Sequence, residues 1–296
     1  MTASLFHSEI FDSPFGEWSL ASAPPAAELS ASVLQYWESR GSVAYGFERM
    51  PPRGSAELIF NLGGPQRMYS GETLETPRTF RKAWISGLFN RPLFVGPAYD
   101  AGVNGTHLVG VSITPWGIYD LFGIAASELA NRVVEAEEIF GSTVNTIWDQ
   151  IANADGPMAR YKALMAFLQS CRNRMSRPTP FSVQWAVSEI SRARGGASIQ
   201  TMCADLDISR KHLADLFKRS IGFTPKTYSK IVRFRSIMSI IDRRQAHEFA
   251  GLAADFGFAD QSHFIHEFRS FAGESPANYL RNVSADGESV LFETAG

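Results

Sequence analysis

Residues 253–258 read Ala-Ala-Asp-Phe-Gly-Phe and residues 260–264 read Asp-Gln-Ser-His-Phe, and these two stretches decide how the C-terminal third folds. A similar run, Cys-Ala-Asp-Leu-Asp-Ile, occupies residues 203–208, fifty residues earlier. After a slip of one residue the match continues at an offset of 51. The matched pairs are His212 with His263, Leu213 with Phe264, Phe217 with Phe268, Gly222 with Gly273, Pro225 with Pro276 and Tyr228 with Tyr279. This agreement indicates an internal repeat.

Each copy of the repeat has the signals of two helices joined by a tight turn. In the first copy, apolar periodicity over residues 199–206 predicts one helix. A second helix is predicted to begin at Ser209, a good N-cap residue, and to end near Gly222. Pro225 then begins the next helix. The equivalent positions of the second copy are residues 249–256, Asp260, Gly273 and Pro276. Each copy is therefore a predicted helix-turn-helix unit, and residues 225–243 are predicted to form one long connecting helix.

The second helix of each unit carries polar and basic side chains on the face opposite its apolar side. A recognition helix reads base edges from such a face, and Arg, Lys and Gln offer donors that suit guanine or adenine. The predicted DNA contacts are Arg210, Lys211, Asp215, Lys218, Arg219, Gln261, Ser262, His266 and Arg269. Asp215 can accept a hydrogen bond from cytosine but repels phosphate. His266 is open between base contact and simple solvation, whereas packing or capping is favoured for His212 and His263.

The distribution of charge supports a nucleic-acid partner for this part of the chain. The whole chain of 296 residues has a formal net charge of −2, which by itself favours no partner. Residues 207–235, however, contain eight basic against two acidic residues, while residues 1–180 contain 14 against 17. Local positive charge is what phosphate contact requires. For Arg233 and Arg235, phosphate contact and solvation remain equally open.

These motifs resemble the DNA-binding domain of the AraC/XylS family of transcription regulators. The resemblance covers about 85 to 100 residues and rests on the second unit above all. It is carried by Ala253, Gly257-Phe258, Asp260 to Phe264, Phe268-Arg269, Gly273 and Ser275-Pro276-Ala277-Asn278-Tyr279. The resemblance implies two recognition helices that enter successive major grooves on one side of the duplex. It also implies an N-terminal half that senses a small molecule or forms a dimer, often as a cupin-like barrel.

The N-terminal half has the composition of a β-rich domain followed by helices. Short apolar runs alternate with glycine and proline and predict the strands of a small antiparallel sheet or barrel. These runs lie at residues 56–62, 83–87, 92–97 and 106–113. In contrast, the four-residue spacing of Leu29, Val33 and Trp37 predicts a short helix over residues 27–37. Residues 116–175 are predicted to be helical, and the polar, proline-containing residues 172–180 are predicted to form a linker.

The predicted fold class is therefore α+β. Residues 1–178 form a β-rich, cupin-like sensing or dimerisation domain, which is helical from about residue 116. Residues 181–282 form an all-α double helix-turn-helix domain, and residues 283–296 are predicted to be a flexible tail. Aromatic residues of the first half could line an apolar pocket for an effector. The candidates are Trp84, Phe89, Phe94, Tyr99 and Trp116, with plain core packing as the alternative for each.

Several other classes of protein are excluded or disfavoured by the sequence. Two cysteines, Cys171 and Cys203, cannot supply a disulfide framework or a four-cysteine metal site. A metal-binding cupin needs a cluster of ligands, but residues 1–180 contain only the histidines His7 and His107. The Gly-x-Ser-x-Gly elbow and the phosphate-binding loops are absent. We therefore expect no metal, no cofactor and no enzymatic activity. The N-terminus lacks the pattern of a secretory signal, and the expected location is the cytoplasm without membrane association.

The sequence thus predicts a sequence-specific DNA-binding transcription regulator. Its expected partners are an operator in double-stranded DNA, a small-molecule effector, a second copy of the chain, and RNA polymerase if it is an activator. Two alternatives remain. One is an enzyme or ligand-binding module with an accessory helical domain. The other is a constitutive regulator whose first half only dimerises.

Overall fold

The computed structural model of the chain describes residues 5–13, 16–43, 46–69, 77–97, 105–175, 178–241, 249–284 and 289–292. The first half and one C-terminal strand, Val290–Phe292, form two antiparallel sheets. The strands are β1 (His7–Ser13), β2 (Gly16–Ala23), β3 (Val33–Val43), β4 (Phe47–Met50), β5 (Ala56–Asn61), β6 (Gln66–Tyr69), β7 (Pro77–Phe80), β8 (Ala83–Ser86), β9 (Leu93–Pro97), β10 (Thr106–Ile113), β11 (Val133–Glu135) and β12 (Val290–Phe292).

The larger sheet has the order β1-β2-β3-β10-β5-β8-β11, and the smaller sheet has the order β12-β4-β9-β6-β7. The inner faces of both sheets line a common cavity. Helices follow the strands. They are α1 (Gly117–Phe122), α2 (Ala136–Phe140), α3 (Thr143–Ala152), α4 (Gly156–Asn173), α5 (Phe181–Arg192), α6 (Ile199–Asp205), α7 (Arg210–Ile221), α8 (Pro225–Ile241), α9 (Phe249–Asp255), α10 (Gln261–Ala272) and α11 (Pro276–Asn282). The predicted α+β class, with a β-rich first half and a helical second half, is confirmed.

The helix predicted over residues 27–37 is wrong. Only Ala27–Leu29 forms a helical turn, and Val33–Val43 forms β3 in the larger sheet. β3 is paired on both sides, with β2 and with β10. Its β-branched and aromatic residues suit a strand with this much pairing, so tertiary context overrides the four-residue spacing.

The C-terminal segment differs from the predicted flexible tail over residues 283–296. Val290–Phe292 forms β12, which pairs with β4 of the smaller sheet. The ring of Phe292 stacks on that of Phe47 with 4.7 Å between centroids, and Val290 is fully buried. The apolar side chains of this short segment therefore attach it to the first half of the chain.

One hydrophobic core runs from the first half into the first helix-turn-helix unit. It includes Ile85 of β8, Leu121 of α1 and Phe217 of α7. A second core contains the buried residues of α9, α10 and the later part of α8, together with Val290. The first core contains residues from both sides of residue 178, so the domain boundary placed there stays a prediction. The two units thus belong to different cores, and α8 connects them.

A buried ionic network fastens α4 to the larger sheet. Arg160 of α4 donates two hydrogen bonds to the carboxylate of Glu38 on β3, at 2.8 and 3.1 Å. His107 and Tyr36 contact the same carboxylate at 2.8 and 2.9 Å. Burial by itself would raise the pKa of Glu38, but the hydrogen bonds from these three partners outweigh it and lower the pKa to about 2. The carboxylate is therefore ionised throughout the neutral range.

Candidate nucleic-acid interface and barrel cavity

The helix α7 has the cap signals that the sequence predicts. The backbone N–H of His212 donates to the side chain of Ser209 at 3.1 Å, and Gly222 ends the helix in the left-handed region with φ of 94°. Leu213 and Phe217 are buried on one side. The opposite face is exposed and carries Lys211, Asp215 and Lys218, and the flanking predicted contacts Arg210 and Arg219 are exposed as well.

The helix α10 repeats this arrangement. The backbone N–H of His263 donates to the carboxylate of Asp260 at 2.7 Å, and Gly273 ends the helix with φ of 80°. Phe264 and Phe268 are buried against the second core. The predicted contacts of this unit are all exposed, namely Gln261, Ser262, His266 and Arg269. The two helices therefore present equivalent polar faces, with a fixed N-terminus at each.

Two basic residues of α8, Lys230 and Arg233, hold α8 against α10. Lys230 lies 2.9 Å from the carboxylate of Glu267, and Arg233 pairs with the same carboxylate. Burial would raise the pKa of Glu267, but hydrogen bonds from Lys230 and Arg233 lower it. The guanidinium of Arg233 also lies 4.3 Å from the centroid of the Phe258 ring. Sequence reasoning missed Glu267, although an acidic residue among the apolar positions of a helix is a detectable signal.

The C-terminal ends of both recognition helices rest on the first half of the chain. A Cβ added at Gly222 would lie 2.9 Å from the carbonyl oxygen of Ala126, and one at Gly273 would lie 2.9 Å from Cδ of Arg49. Arg49 of β4 forms an ion pair with Glu274, and both side chains are largely buried. This packing leaves the N-terminal parts of both helices exposed, and that is the part with which a recognition helix contacts bases.

A cavity of about 660 Å³ lies between the two sheets. Strand register brings its lining residues of the larger sheet into two neighbouring rows. Gln35, Ser112, Glu57 and Ser86 form a polar row across β3, β10, β5 and β8. In the adjacent row Trp37, Ile59 and Trp84 line the cavity and make it aromatic and apolar, and Gly110 of β10 lies between Trp37 and Ile59. The cavity therefore offers a polar group beside aromatic surfaces, which is a common arrangement in small-molecule sites.

The polar row centres on the carboxylate of Glu57. Trp37 Nε1 and the hydroxyls of Ser55 and Ser112 donate to it, at 3.0, 3.0 and 3.1 Å. Burial raises the pKa of Glu57, while the charge of Arg53 and the three hydrogen bonds act in the opposite direction. Burial is the largest of these effects.

Gly110 leaves the space that Trp37 occupies. A Cβ at this position would lie 2.6 Å from Cζ2 of the Trp37 side chain, so any larger residue would displace the ring. The glycine therefore lets the indole lie flat on the strand, with its N–H directed to Glu57.

Only some of the residues predicted to contact a ligand line the cavity. Trp84 and Phe89 line the cavity. Phe94 does not, and its ring lies 6.2 Å from that of Phe47. Trp116 does not line the cavity either and packs against the main core. Tyr99 lies outside the described residues.

Sequence reasoning missed Trp18, Trp37 and Glu57, which line the cavity. The alternation of side chains along β5 would have placed Glu57 opposite the buried residues Ala56 and Leu58, if the strand bounds had been known.

Residues of the second half complete the cavity wall. Arg235 of α8, Ser284, Ser289 and Leu291 all line it. The hydroxyl of Ser289 donates to the carboxylate of Glu48 at 2.9 Å. The helix that joins the two units is thus in direct contact with the cavity. Phosphate contact and solvation were left open for Arg233 and Arg235. The structure places Arg233 against α10 and Arg235 at this wall.

Two further observations concern only the described part of the chain. No group of three or more His, Cys, Asp or Glu side chains is placed there to hold a metal ion. None of its helices combines the length and apolar character needed to cross a membrane.

Two similar helix-turn-helix units with exposed polar recognition faces, joined by one long helix, define a double helix-turn-helix DNA-binding protein. The family model of a helix-turn-helix domain matches residues 202–282, and that of a domain of unknown function, DUF6597, matches residues 21–135. With its motifs, this match shows that the C-terminal part of the chain is a DNA-binding domain of the kind found in AraC family transcription regulators.

Several solved structures are similar to the chain at low identity. ToxT from Vibrio cholerae is 12% identical with a TM-score of 0.45, and the match covers 94% of this chain and 97% of that one. For ToxT bound to an unsaturated fatty acid, the identity is 12%, the TM-score 0.42 and the coverage 80% and 91%. The C-terminal domain of AraT, a response regulator from Geobacillus stearothermophilus, is 19% identical with a TM-score of 0.32 and coverage of 36% and 88%. A search of curated proteins finds no match.

Proposed function

We propose that the chain reads two adjacent major-groove segments of an operator with α7 and α10, under the control of a small molecule bound in the barrel cavity. The observation that carries this proposal is the position of Arg235. It lies on α8, which connects the two units, and it forms part of the cavity wall. A ligand in the cavity therefore lies against or next to α8. Because α8 joins the two units, it sets the spacing of the two recognition helices.

The reading step follows from the exposed side chains near each helix N-terminus. Lys211 offers donors to guanine, and Gln261 can make a bidentate contact with adenine. Lys218 and Arg219 lie in the last turn of α7 and suit phosphate oxygens, which position the protein without reading sequence. Asp215, which lies between Lys211 and Lys218 in the sequence, favours cytosine at its position.

The control step follows from how α8 is divided between the cores. Tyr228, near its start, belongs to the core shared with the first half, while Ile237 and Ile241 belong to the second core. A ligand that moves the wall at Arg235 or Leu291 thereby changes the position of the second unit relative to the first. Dimerisation and contact with RNA polymerase stay predictions.

Replacing Arg219 with alanine tests the phosphate role. We expect weaker binding to all DNA sequences and a smaller dependence on salt, with the slope of log K against log salt reduced by about 1. Fluorescence anisotropy with operator and unrelated duplexes over a range of salt concentrations measures both quantities. An affinity loss confined to the operator would contradict a phosphate contact and indicate base reading instead.

Filling the cavity tests the control step. Leu108 lines the cavity on β10, and Leu108→Trp places additional volume inside it. We expect the small-molecule fraction of a cell extract to change the operator affinity of the unaltered protein and to leave that of the variant unchanged. Gel shift with an operator mapped by genome-wide binding measures this, and thermal melting checks that the variant folds. Equal responses of the two proteins would contradict an effector in the cavity.

A further inference from the structure

We infer that the cavity takes a cationic effector, a protonated amine on an aromatic or apolar body, with the ammonium group at Glu57. This inference rests on the proposed function, because it names the chemistry of the effector. It goes beyond that function because the charge of the ligand does not follow from the presence of a cavity.

The surroundings of Glu57 leave it able to accept another donor. Trp37 Nε1 can only donate, so this contact supports the ionised carboxylate. With the bonds from Ser55 and Ser112, three donors are directed at the group. A carboxylate has about four acceptor sites, so roughly one remains for a ligand. Glu57 also lines the cavity, so this site is within reach of a bound molecule.

Desolvation makes a cation the favourable occupant of that site. Removing a carboxylate from water is costly unless the charge is paired or hydrogen-bonded. An ammonium group supplies both the charge and the donors. Burial raises the pKa of Glu57 more than Arg53 and the three hydrogen bonds lower it, so these groups compensate only part of the cost of burying the charge.

The neighbouring walls suit the rest of such a ligand. Trp18, Trp37, Trp84 and Phe89 line the cavity, together with the apolar side chains of Ile59, Leu20, Met50 and Met68. Aromatic faces attract cations through their quadrupole and offer flat surfaces to an aromatic body. Trp37 and Trp84 lie in the row next to Glu57, so the charged and aromatic parts of one small molecule can be held together.

The other charged groups do not reverse this preference. The charged side chains among the described cavity residues are Glu9, Glu48 and Glu57 against Arg53 and Arg235. Arg53 lies close enough to Glu57 for its charge to lower the pKa, and Glu48 accepts from Ser289. Carboxylates thus outnumber guanidinium groups, and an anionic ligand over the two tryptophans would meet Glu57.

Three ligands of one shape but different charge test the assignment on the unmodified full chain. They are tryptamine, which is protonated at neutral pH, the neutral tryptophol and the anion indole-3-propionate. Isothermal titration calorimetry at pH 7 should give an affinity for tryptamine at least ten-fold above those for the other two. Tryptamine affinity should fall as the pH is lowered through the raised pKa of Glu57, because the protonated carboxyl no longer pairs with the ammonium. Equal or tighter binding of tryptophol or indole-3-propionate overturns the inference, and so does the absence of tryptamine binding.

A charge-neutral variant separates Glu57 from the rest of the cavity. Glu57→Gln keeps an acceptor for Trp37 and should lower tryptamine affinity about ten-fold, while tryptophol affinity stays within two-fold. Glu28→Gln removes the charge of an exposed carboxylate that does not line the cavity, and as the matched control it should preserve the preference for tryptamine. Unchanged tryptamine binding by the Glu57 variant overturns the inference, and the ligand comparison decides the matter if that variant does not fold. Because none of these titrations contains DNA, a failure here is distinct from a failure of operator control, which the Leu108→Trp experiment reports.

Discussion

Replacing Lys211 and Gln261 together with alanine should reduce operator affinity by about 2 to 6 kcal/mol. Each side chain is exposed at the N-terminal end of its recognition helix, and a good base contact is worth about 1 to 3 kcal/mol. The two residues lie on different helices with separate cores, so their effects should add. Even the lower value corresponds to an affinity loss of about thirty-fold. Fluorescence anisotropy with the mapped operator at fixed salt gives the dissociation constants.

The design of this experiment also distinguishes base reading from a general loss of charge. Lys162→Ala removes an exposed lysine of α4 in the first half and should leave operator affinity unchanged. Each single variant should also relax the base preference at one operator position. Thermal melting should be unchanged for all of them, since neither recognition residue is buried. Operator binding by the double variant at the affinity of the unaltered protein would refute the assignment of these two residues.

Arg160→Met should lower the free energy of unfolding by about 3 to 5 kcal/mol at pH 7. The variant leaves the carboxylate of Glu38 buried without its bidentate partner, and breaking a buried pair in this way costs that amount. It also removes the bond from Arg160 to the carbonyl oxygen of Ala154, at 3.2 Å. Urea denaturation followed by tryptophan fluorescence and circular dichroism measures the change.

The pH dependence identifies Glu38 as the cause. Its pKa is lowered from 4.5 to about 2 in the folded protein. The contribution of the pair is therefore fully present above pH 4.5, and it is lost as the pH falls through 2. The difference between the variant and the unaltered protein should shrink accordingly in acid. Arg192→Met breaks the exposed Glu189–Arg192 pair and should have almost no effect. A stability difference that does not vary with pH would show that lost packing, not charge, is responsible.

The helical third was predictable because its signals are local. Ser209 and Asp260 cap helices through bonds to residues three positions later, and Gly222 and Gly273 end them in the left-handed region. Cap geometry depends on a few neighbouring residues, so sequence spacing is sufficient. The exposed faces of α7 and α10 then follow from helical periodicity.

The cavity was much less predictable, since its residues meet only across strands. Glu57, Ser112 and Trp37 lie on three different strands, and register brings them together. Aromatic content favoured Phe94 and Trp116 as strongly as Trp84, but only Trp84 of these three lines the cavity. The helix predicted near Trp37 failed for the same reason, because pairing with β2 and β10 decides the conformation there.

By itself the sequence determined a repeated helix-turn-helix domain, its caps and the exposed polar faces of α7 and α10, because short-range hydrogen bonds and helical spacing encode them. Only the tertiary structure decided that the C-terminal ends of both recognition helices rest on the first half, through Ala126 and Arg49. It alone placed Arg235 of the connecting helix in the cavity wall, and a buried carboxylate, Glu57, among the aromatic residues opposite. Such long-range contacts depend on how whole sheets and helices pack, and that packing leaves no local pattern in the chain.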